Sequence, residues 1–409
     1  MRKILVVGAG QSGLQLALSL QNHGYDVTVM SARTADEIRG GRVMSTQCMF
    51  NDALQTERNE GLNLWESECV TADGLGVSVA GEDSSRVLNW IGWLDHYGQS
   101  VDQRVKMAGW LELFEQRGGK LVIHGVTTAD LNSLSTMYDL TVVAAGKGEL
   151  VQLFDRDNER SVWTKPQRAL SVVYAHGVEA RPEHPNNRAV RFNLIPGVGE
   201  LFMIPGLTLS GNCEILFFEG IPGGPLDCFS DRPSPQEHLD RTLALMKKYL
   251  PWEYDRARNA ELTDDRATLA GGYTPVVRKP VGELPSGGKV LGMADVVVAN
   301  DPITGQGSNN AAKCADSYLH SILERGDQPF DAQWMSDTFE RYWDYAQHVT
   351  NWTNALLTPP PPHVMDILGA AQENPVVAKR FANGFSDPSD YQHWFMDPQK
   401  TADYLASVS

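Results

Sequence analysis

Two glycine-rich segments at opposite ends of this chain constrain its fold more than anything else in it. The first reads Ile4-Leu5-Val6-Val7-Gly8-Ala9-Gly10-Gln11-Ser12-Gly13. The second is Leu291-Gly292-Met293-Ala294-Asp295, followed by Asp301-Pro302-Ile303-Thr304-Gly305-Gln306-Gly307-Ser308-Asn309-Asn310. In the first, the apolar run Ile4 to Val7 predicts a buried parallel strand. Gly8 permits a tight turn, Gly10 lets backbone approach a pyrophosphate, and Gly13 lets the following helix pack on the strand. Leu14, Leu16, Ala17, Leu18 and Leu20 continue as that helix, which Gly24 ends, and Val27 to Met30 is the next strand. Such a glycine pattern alone is weak. Between a strand and a helix of a βαβ unit, it predicts dinucleotide binding at the helix N-terminus, where free N–H groups and the helix dipole hold phosphate.

The distal segment narrows the ligand. Gly292 and Asp295 end a strand beginning at Val290, and in flavoprotein hydroxylases an Asp so placed contacts ribityl or ribose hydroxyls. Pro302 rigidifies the approach to a helix, and Gly305 and Gly307 expose backbone N–H groups. Ser308, Asn309, Asn310 and the alanines after them are small enough for a flat ring to approach. A helix N-terminus there stabilises negative charge on a reduced flavin. Gly305, Gln306, Gly307 and Asn309 are therefore the expected catalytic flavin environment. A dinucleotide fold that closes through so distant a segment is the habit of FAD enzymes. One departure is Ser31, where an acidic residue usually holds the adenosine ribose. A neutral hydroxyl predicts modest dinucleotide affinity, as a diffusible flavin requires, or a substitute group elsewhere.

The 409 residues, 42 % of them hydrophobic, are enough for two domains with real cores. A net charge of −16 argues against nucleic acid or an anionic membrane as partner. The five cysteines are scattered without metal-binding spacing, so no metal is expected and the thiols read as reduced and cytoplasmic. No apolar run approaches membrane-spanning length, and the first residues read as a strand rather than a signal peptide.

Helical spacing marks 102–119, a strand follows at Leu121 to His124, and Tyr138 to Gly146 reads as another buried strand ending in small residues. From about Trp163 to Gly220 the pattern changes to strands with turn signals, at 169–175, 189–195, 200–205 and 214–219. Residues 235–260 are helical, and the tail after Ile322 is helical and rich in aromatics. The fold class expected is α/β: a Rossmann-like FAD-binding domain, an inserted antiparallel β-sheet substrate domain and a helical C-terminal region, as in the aromatic hydroxylases. The expected boundaries are 1–75, 100–150 and 275–325 for the FAD-binding domain, 76–99 and 151–274 for the substrate domain, and 326–409 for the helical region.

With these residues in place, the chain resembles the FAD-specific epoxidase component of styrene monooxygenases and their relatives, the indole monooxygenases. The resemblance runs over nearly the whole chain. It includes the Gly8–Gly13 turn, Val101-Asp102-Gln103-Arg104, Gly118-Gly119-Lys120, Tyr138-Asp139-Leu140 through Ala145-Gly146-Lys147, Asp301-Pro302 to Gly307, and less specifically Trp352-Thr353-Asn354. Its most specific part is Lys165-Pro166-Gln167-Arg168-Ala169-Leu170, which dinucleotide binding does not demand. The resemblance implies FAD delivered as FADH2 by a separate NADH-dependent flavin reductase. It also implies O2 as co-substrate, a flavin C4a-hydroperoxide, and transfer of its distal oxygen to an indole 2,3-bond or a styrene vinyl group. Arg42 looks like the family's flavin-contacting arginine, and Arg104 is expected to meet the pyrophosphate. Ser45, Gln47 and Met49 resemble the indole-type subgroup, with the Gln47 amide oxygen placed to accept an indole N–H and Met49 as an adaptable apolar wall. Ala299 joins them as an expected substrate contact.

No Ser/His/Asp order, metal motif or paired-carboxylate motif stands out, which fits a reaction with no proton to abstract. Gly146-Lys147-Gly148-Glu149 lacks the Asp-Gly that single-component hydroxylases carry for NAD(P)H use. Two alternatives stay open at this level: a single-component NAD(P)H-dependent aromatic hydroxylase, and a non-oxygenase FAD-binding reductase or flavin carrier. A plain NAD dehydrogenase would leave the distal segment without a role.

Overall fold

The computed structural model describes residues 2–146 and 148–408. Lys147, part of the Gly146–Glu149 argument above, lies outside them. The N-terminal motif folds as its pattern predicts. The strand Lys3–Val7 is buried from Ile4 onward and leads into the helix Gln11–Asn22 and the strand Asp26–Ser31. These strands lie in a six-stranded sheet ordered Val281–Glu283, Lys289–Gly292, Leu140–Val143, Lys3–Val7, Asp26–Ser31, Lys120–Ile123. Its pairings are parallel except that between the first two strands. The distal strand thus docks beside the first βαβ unit, with Gly292 in register with Val143.

The second layer is a nine-stranded sheet built from the inserted segments. The long strands Gly199–Thr208 and Gly211–Gly220 form its central hairpin, flanked by Ala169–His176 on one side and Ala189–Ile195 on the other. It is not wholly antiparallel: Thr71–Ala80 runs parallel to Ala189–Ile195, because the crossover between them is long. Thr71–Ala80 also straddles the expected boundary between residues 75 and 76, and Cys48–Met49 extends the same sheet through Arg86–Ser100. The first half of the chain therefore enters the nine-stranded sheet earlier than the expected boundary.

The aromatic tail forms the helices Ala332–Leu356, Pro362–Glu373, Pro375–Asn383 and Pro398–Ser407. Trp352, Phe381, Phe385, Tyr391 and Trp394 are buried with the apolar face of the nine-stranded sheet in one hydrophobic core. A second core lies between the six-stranded sheet and the helices Gln11–Asn22, Gln103–Gln116 and Gly307–Arg325. The tail thus clamps the two sheets at their junction. Among the described residues no helix is long and apolar enough to cross a membrane.

Candidate active site

Where the parallel strands end, a band of backbone reaches solvent between buried strands and helices. Gly8 to Gly10, Met44 to Thr46 and Ala144 to Gly146 are partly exposed, and Asp295 and Gly307 are exposed. Ligands of open α/β sheets bind at such carboxyl ends. Gly146 and Asp295 abut there: a Cβ on Gly146 would lie 2.8 Å from that of Asp295.

The glycines divide by what holds them. At Gly8, with φ +116°, a Cβ would strike the Ala144 and Ala145 backbone at 2.8 Å, and at Gly13 it would lie 2.1 Å from the Gly8 carbonyl oxygen. Both are demanded by the fold. At Gly10 a Cβ meets no protein atom within 4 Å, and φ is −92°, so neither protein packing nor backbone strain calls for glycine there. The backbone there is open to the close approach of a ligand. The helix behind Gly10 has no side-chain cap, so its first N–H groups are free to take phosphate. The helix Gly307–Arg325 is likewise uncapped, and Gly305 and Gly307 have open space where a side chain would stand. The two helices pack together, with Gln15 Nε2 donating to the Ala312 carbonyl at 3.4 Å. This cradle fits a dinucleotide with a ring system at the second helix.

The turn from Pro302 to Gly305 is braced from three sides. Thr304 Oγ1 lies 2.7 Å from Thr353 Oγ1, and Gln306 Nε2 donates to the Phe385 carbonyl at 3.0 Å. Asn309, 1 % exposed, accepts from the Phe50 N–H at 2.8 Å and donates to the Cys48 and Gly305 carbonyls at 2.9 and 3.0 Å. Asn309 and Gln306 thus position the turn with their side chains rather than offering them to a flavin. Ser308 stays half-buried at the helix start.

The same turn forms one side of a narrow apolar cleft. Phe192, Phe202 and Phe217 from the nine-stranded sheet and Phe385 from the tail supply most of the opposite wall. Phe192 meets Phe202 and Phe385 edge-on, with centroids 4.6 and 5.1 Å apart. The wall nearest the N-terminal domain is Thr46, Cys48 and Phe50.

That parity corrects the expectation for residues 45 to 49. Met49 faces the other way, packing with Ala53, Leu54 and Ala312, its sulfur 3.3 Å from Lys106 Nζ. The Ser45 hydroxyl donates to Gln47 Oε1 at 2.9 Å and accepts from Gln103 Nε2 at 2.9 Å. Gln47 is buried, its Nε2 donating to the Tyr174 hydroxyl and its Oε1 accepting from Ser45, and it is not among the residues that line the cavity. Ala299 pairs with Val276 and lines a smaller recess beside Trp163 and Asn300, away from the cavity. The odd-numbered set rests on its resemblance to the indole-type subgroup, which carries no information about which way each side chain points. Alternation in a short strand allows either face, and only pairing with Arg86–Ser100 decides which turns inward.

Arg104 needs a second correction. It is 1 % exposed and donates to Asp102 Oδ2 at 2.9 Å, to Thr208 Oγ1 at 3.1 Å and to both oxygens of Asp264 at 3.1 and 2.9 Å. Its guanidinium is a structural cross-link, not a pyrophosphate ligand. The Ser31 hydroxyl closes its own loop, donating to the Arg33 carbonyl at 2.6 Å, so it has no proton left for a ribose oxygen. Arg42 is exposed, makes only a 3.5 Å contact with the Thr268 carbonyl, and among the described residues has no carboxylate partner.

Two family models match the chain. Residues 146–256 match "Styrene monooxygenase A putative substrate binding domain" and residues 3–44 match the pyridine nucleotide-disulphide oxidoreductase model. Over 98 % of its length the chain is 32 % identical to styrene monooxygenase StyA of Pseudomonas fluorescens, covering 96 % of that protein. The chain belongs to the styrene monooxygenase family. Its cofactor is FAD, and membership makes it an FAD-dependent monooxygenase. Solved structures show the wider fold. A flavoprotein/dehydrogenase from Cytophaga hutchinsonii superposes with TM-score 0.68 at 12 % identity, and the flavin-dependent brominase Bmp2 with 0.64 at 14 %. Each pairing covers 99 % of both chains.

Proposed function

We propose that this protein uses externally reduced FAD and O2 to epoxidise an aromatic alkene, an indole 2,3-bond or a styrene vinyl group. In this reading it is the oxygenase half of a two-component system, supplied by an NADH-dependent flavin reductase. The observation that carries the reading is the cavity: aromatic and aliphatic walls set directly against the Pro302–Gly305 turn, with no charged side chain lining it. Burial pushes the Cys48 thiol up to about 12, so that group stays neutral too. An alkene has no proton to remove, and a site built for it needs no general base.

Bound FAD supplies the activated oxygen; the chain's own residues do the rest. The Gly10 and Gly307 helix ends hold negative charge, and Arg42 at the edge of the cleft adds a cation. The phenylalanines hold a flat apolar ring and exclude water. Thr46 stands in the wall. Ser45 and Gln47 influence selectivity through the shape of the loop that presents Thr46 and Cys48. The absence of an Asp-Gly after Gly146 and the neutral Ser31 support an enzyme that takes its flavin from solution.

The deciding experiment mixes the purified protein anaerobically with chemically reduced FAD, then adds oxygenated buffer with styrene or indole and no NAD(P)H. Styrene oxide or indigo supports the reading. Flavin oxidation with peroxide release and no product returns the case to an NAD(P)H-dependent hydroxylase or a non-oxygenase flavoprotein.

A further inference from the structure

One buried group has no part in the site just described. Phe202 and Phe217 face each other across the central hairpin, and the next pair on that face of the sheet is Glu200 and Glu219. Two carboxyl groups thus continue the row of rings that lines the cavity. Like charges directly opposite on a sheet repel. The nearby cation is already used: Arg168 donates to both oxygens of Glu200, at 2.9 and 3.0 Å. Glu219 is fully buried, and among the described residues no donor gives a hydrogen bond to either of its oxygens. Within hydrogen-bonding reach it has Asp301, 2 % exposed, the residue that opens the flavin-facing turn. Asp301 Oδ1 accepts from the Ile303 N–H at 3.1 Å.

An ionised Glu219 would be a buried charge with no donor beside a second carboxylate, an arrangement that proteins avoid by holding the proton. We propose that Glu219 keeps its proton and donates it to Asp301, so that one hydrogen bond fastens the Pro302–Gly305 turn to the substrate sheet. Both are positioning residues of the oxygen-transfer site. The assignment rests on reading that turn as the flavin support. It is consistent with the direction of titration: burial first, and then the charges of Asp301 and Glu200, hold Glu219 well above the usual carboxyl range. Burial raises Asp301 to about 6, with the Ile303 N–H and the Glu219 bond opposing. The charged groups facing Glu219 are Glu200 on the paired strand, Arg168 before the strand Ala169–His176, and Asp301 on the turn. Because the proton is held in the folded state, the tie is intact at neutral pH and is lost as pH rises through the folded pKa of Glu219.

The test has two readouts. The infrared spectrum of the full chain without FAD, at pH 7, should show a protonated-carboxyl band that weakens in Glu219→Gln. A band absent from the unmutated protein, or unchanged in Glu219→Gln, overturns the proposal. If Glu219→Gln does not fold, the band and its alkaline titration in the unmutated protein decide. The second readout is epoxide formed per FADH2 oxidised, across pH. Glu219→Leu, which cannot bond Asp301, should lower this coupling by about 10- to 100-fold while keeping a cooperative thermal transition. Glu219→Gln, an amide donor at every pH, should restore most of the loss and remove the fall at alkaline pH. Coupling in Glu219→Leu equal to the unmutated protein, or an unaltered alkaline fall in Glu219→Gln, also overturns it. Should the unmutated protein form no epoxide at all, the functional reading fails, and the infrared comparison still decides where the proton is.

Discussion

The Tyr174 hydroxyl accepts a hydrogen bond from Gln47 Nε2 and donates one to the Ser45 carbonyl at 2.6 Å. Gln47 has φ +34°, a left-handed conformation that a residue with a side chain adopts at a cost. Tyr174, fully buried on the substrate sheet, therefore holds a strained loop in the shape that turns Thr46 and Cys48 toward the cavity. Burial, followed by the charge of Asp102, keeps its hydroxyl protonated far above the usual tyrosine range. Tyr174→Phe should cost about 1–2 kcal/mol of stability and lower kcat/KM for styrene. FAD affinity should stay unchanged. Equal kcat/KM in the two proteins would remove the loop-holding role.

Gly10 and Gly13 should separate binding from folding. Gly10→Ala places its methyl in open space, so its thermal midpoint should match the parent while Kd for FAD rises about tenfold or more, a loss of about 1.4 kcal/mol. Gly13→Ala meets the Gly8 carbonyl and should lose about 1–3 kcal/mol of stability. Flavin-fluorescence titration and thermal melts distinguish the two. Unchanged FAD affinity in Gly10→Ala would show that the pyrophosphate lies elsewhere.

Cys48 and Met49 test the parity of the short strand. Cys48→Leu fills part of the cavity and should raise KM for the aromatic substrate and increase peroxide release. Met49→Leu conserves volume in a separate cluster and should cost less than about 1.5 kcal/mol, with no change in the ratio of indole to styrene turnover. A larger shift in that ratio from Met49→Leu than from Cys48→Leu would contradict the placement of the cavity.

The Arg104 cross-link should show in acid. Burial works to raise the Asp264 pKa, but hydrogen bonds from Arg104 and the Arg266 N–H hold it below the usual 3.8. The pair therefore contributes stability above that value, and the contribution is lost as pH falls through the lower, folded pKa. Asp264→Asn should flatten the acid limb of a stability-versus-pH curve. Arg104→Met leaves the fully buried Asp102 without its ion-pair partner and should cost about 3–5 kcal/mol. An acid limb that is the same in Asp264→Asn and the parent would rule the linkage out.

The glycine spacing at 8–13, with the apolar runs beside it, determined the strand–turn–helix unit of the dinucleotide fold, and the 305–307 spacing the turn that opens the helix Gly307–Arg325. Those features are local: a tight turn, a close approach and a helix start each constrain a few consecutive residues. The strands at 189–195 and 214–219 were legible for the same reason, because alternation is a property of neighbours in the chain. Tertiary structure decided the rest. Cys48 rather than Met49 faces the cavity because adjacent strand residues point to opposite sides and pairing with Arg86–Ser100 selects which, while Thr46 is carried there by the loop that Tyr174 holds. Asp264 claims Arg104 from far along the chain, and Asn309 spends its amide on Cys48 and Phe50. Glu219 meets Asp301 only once the inserted sheet has folded over the flavin-facing turn. A hydrogen bond or ion pair between distant residues leaves no periodicity in the sequence, so the partner of a polar group becomes known only when the chain has brought the two together.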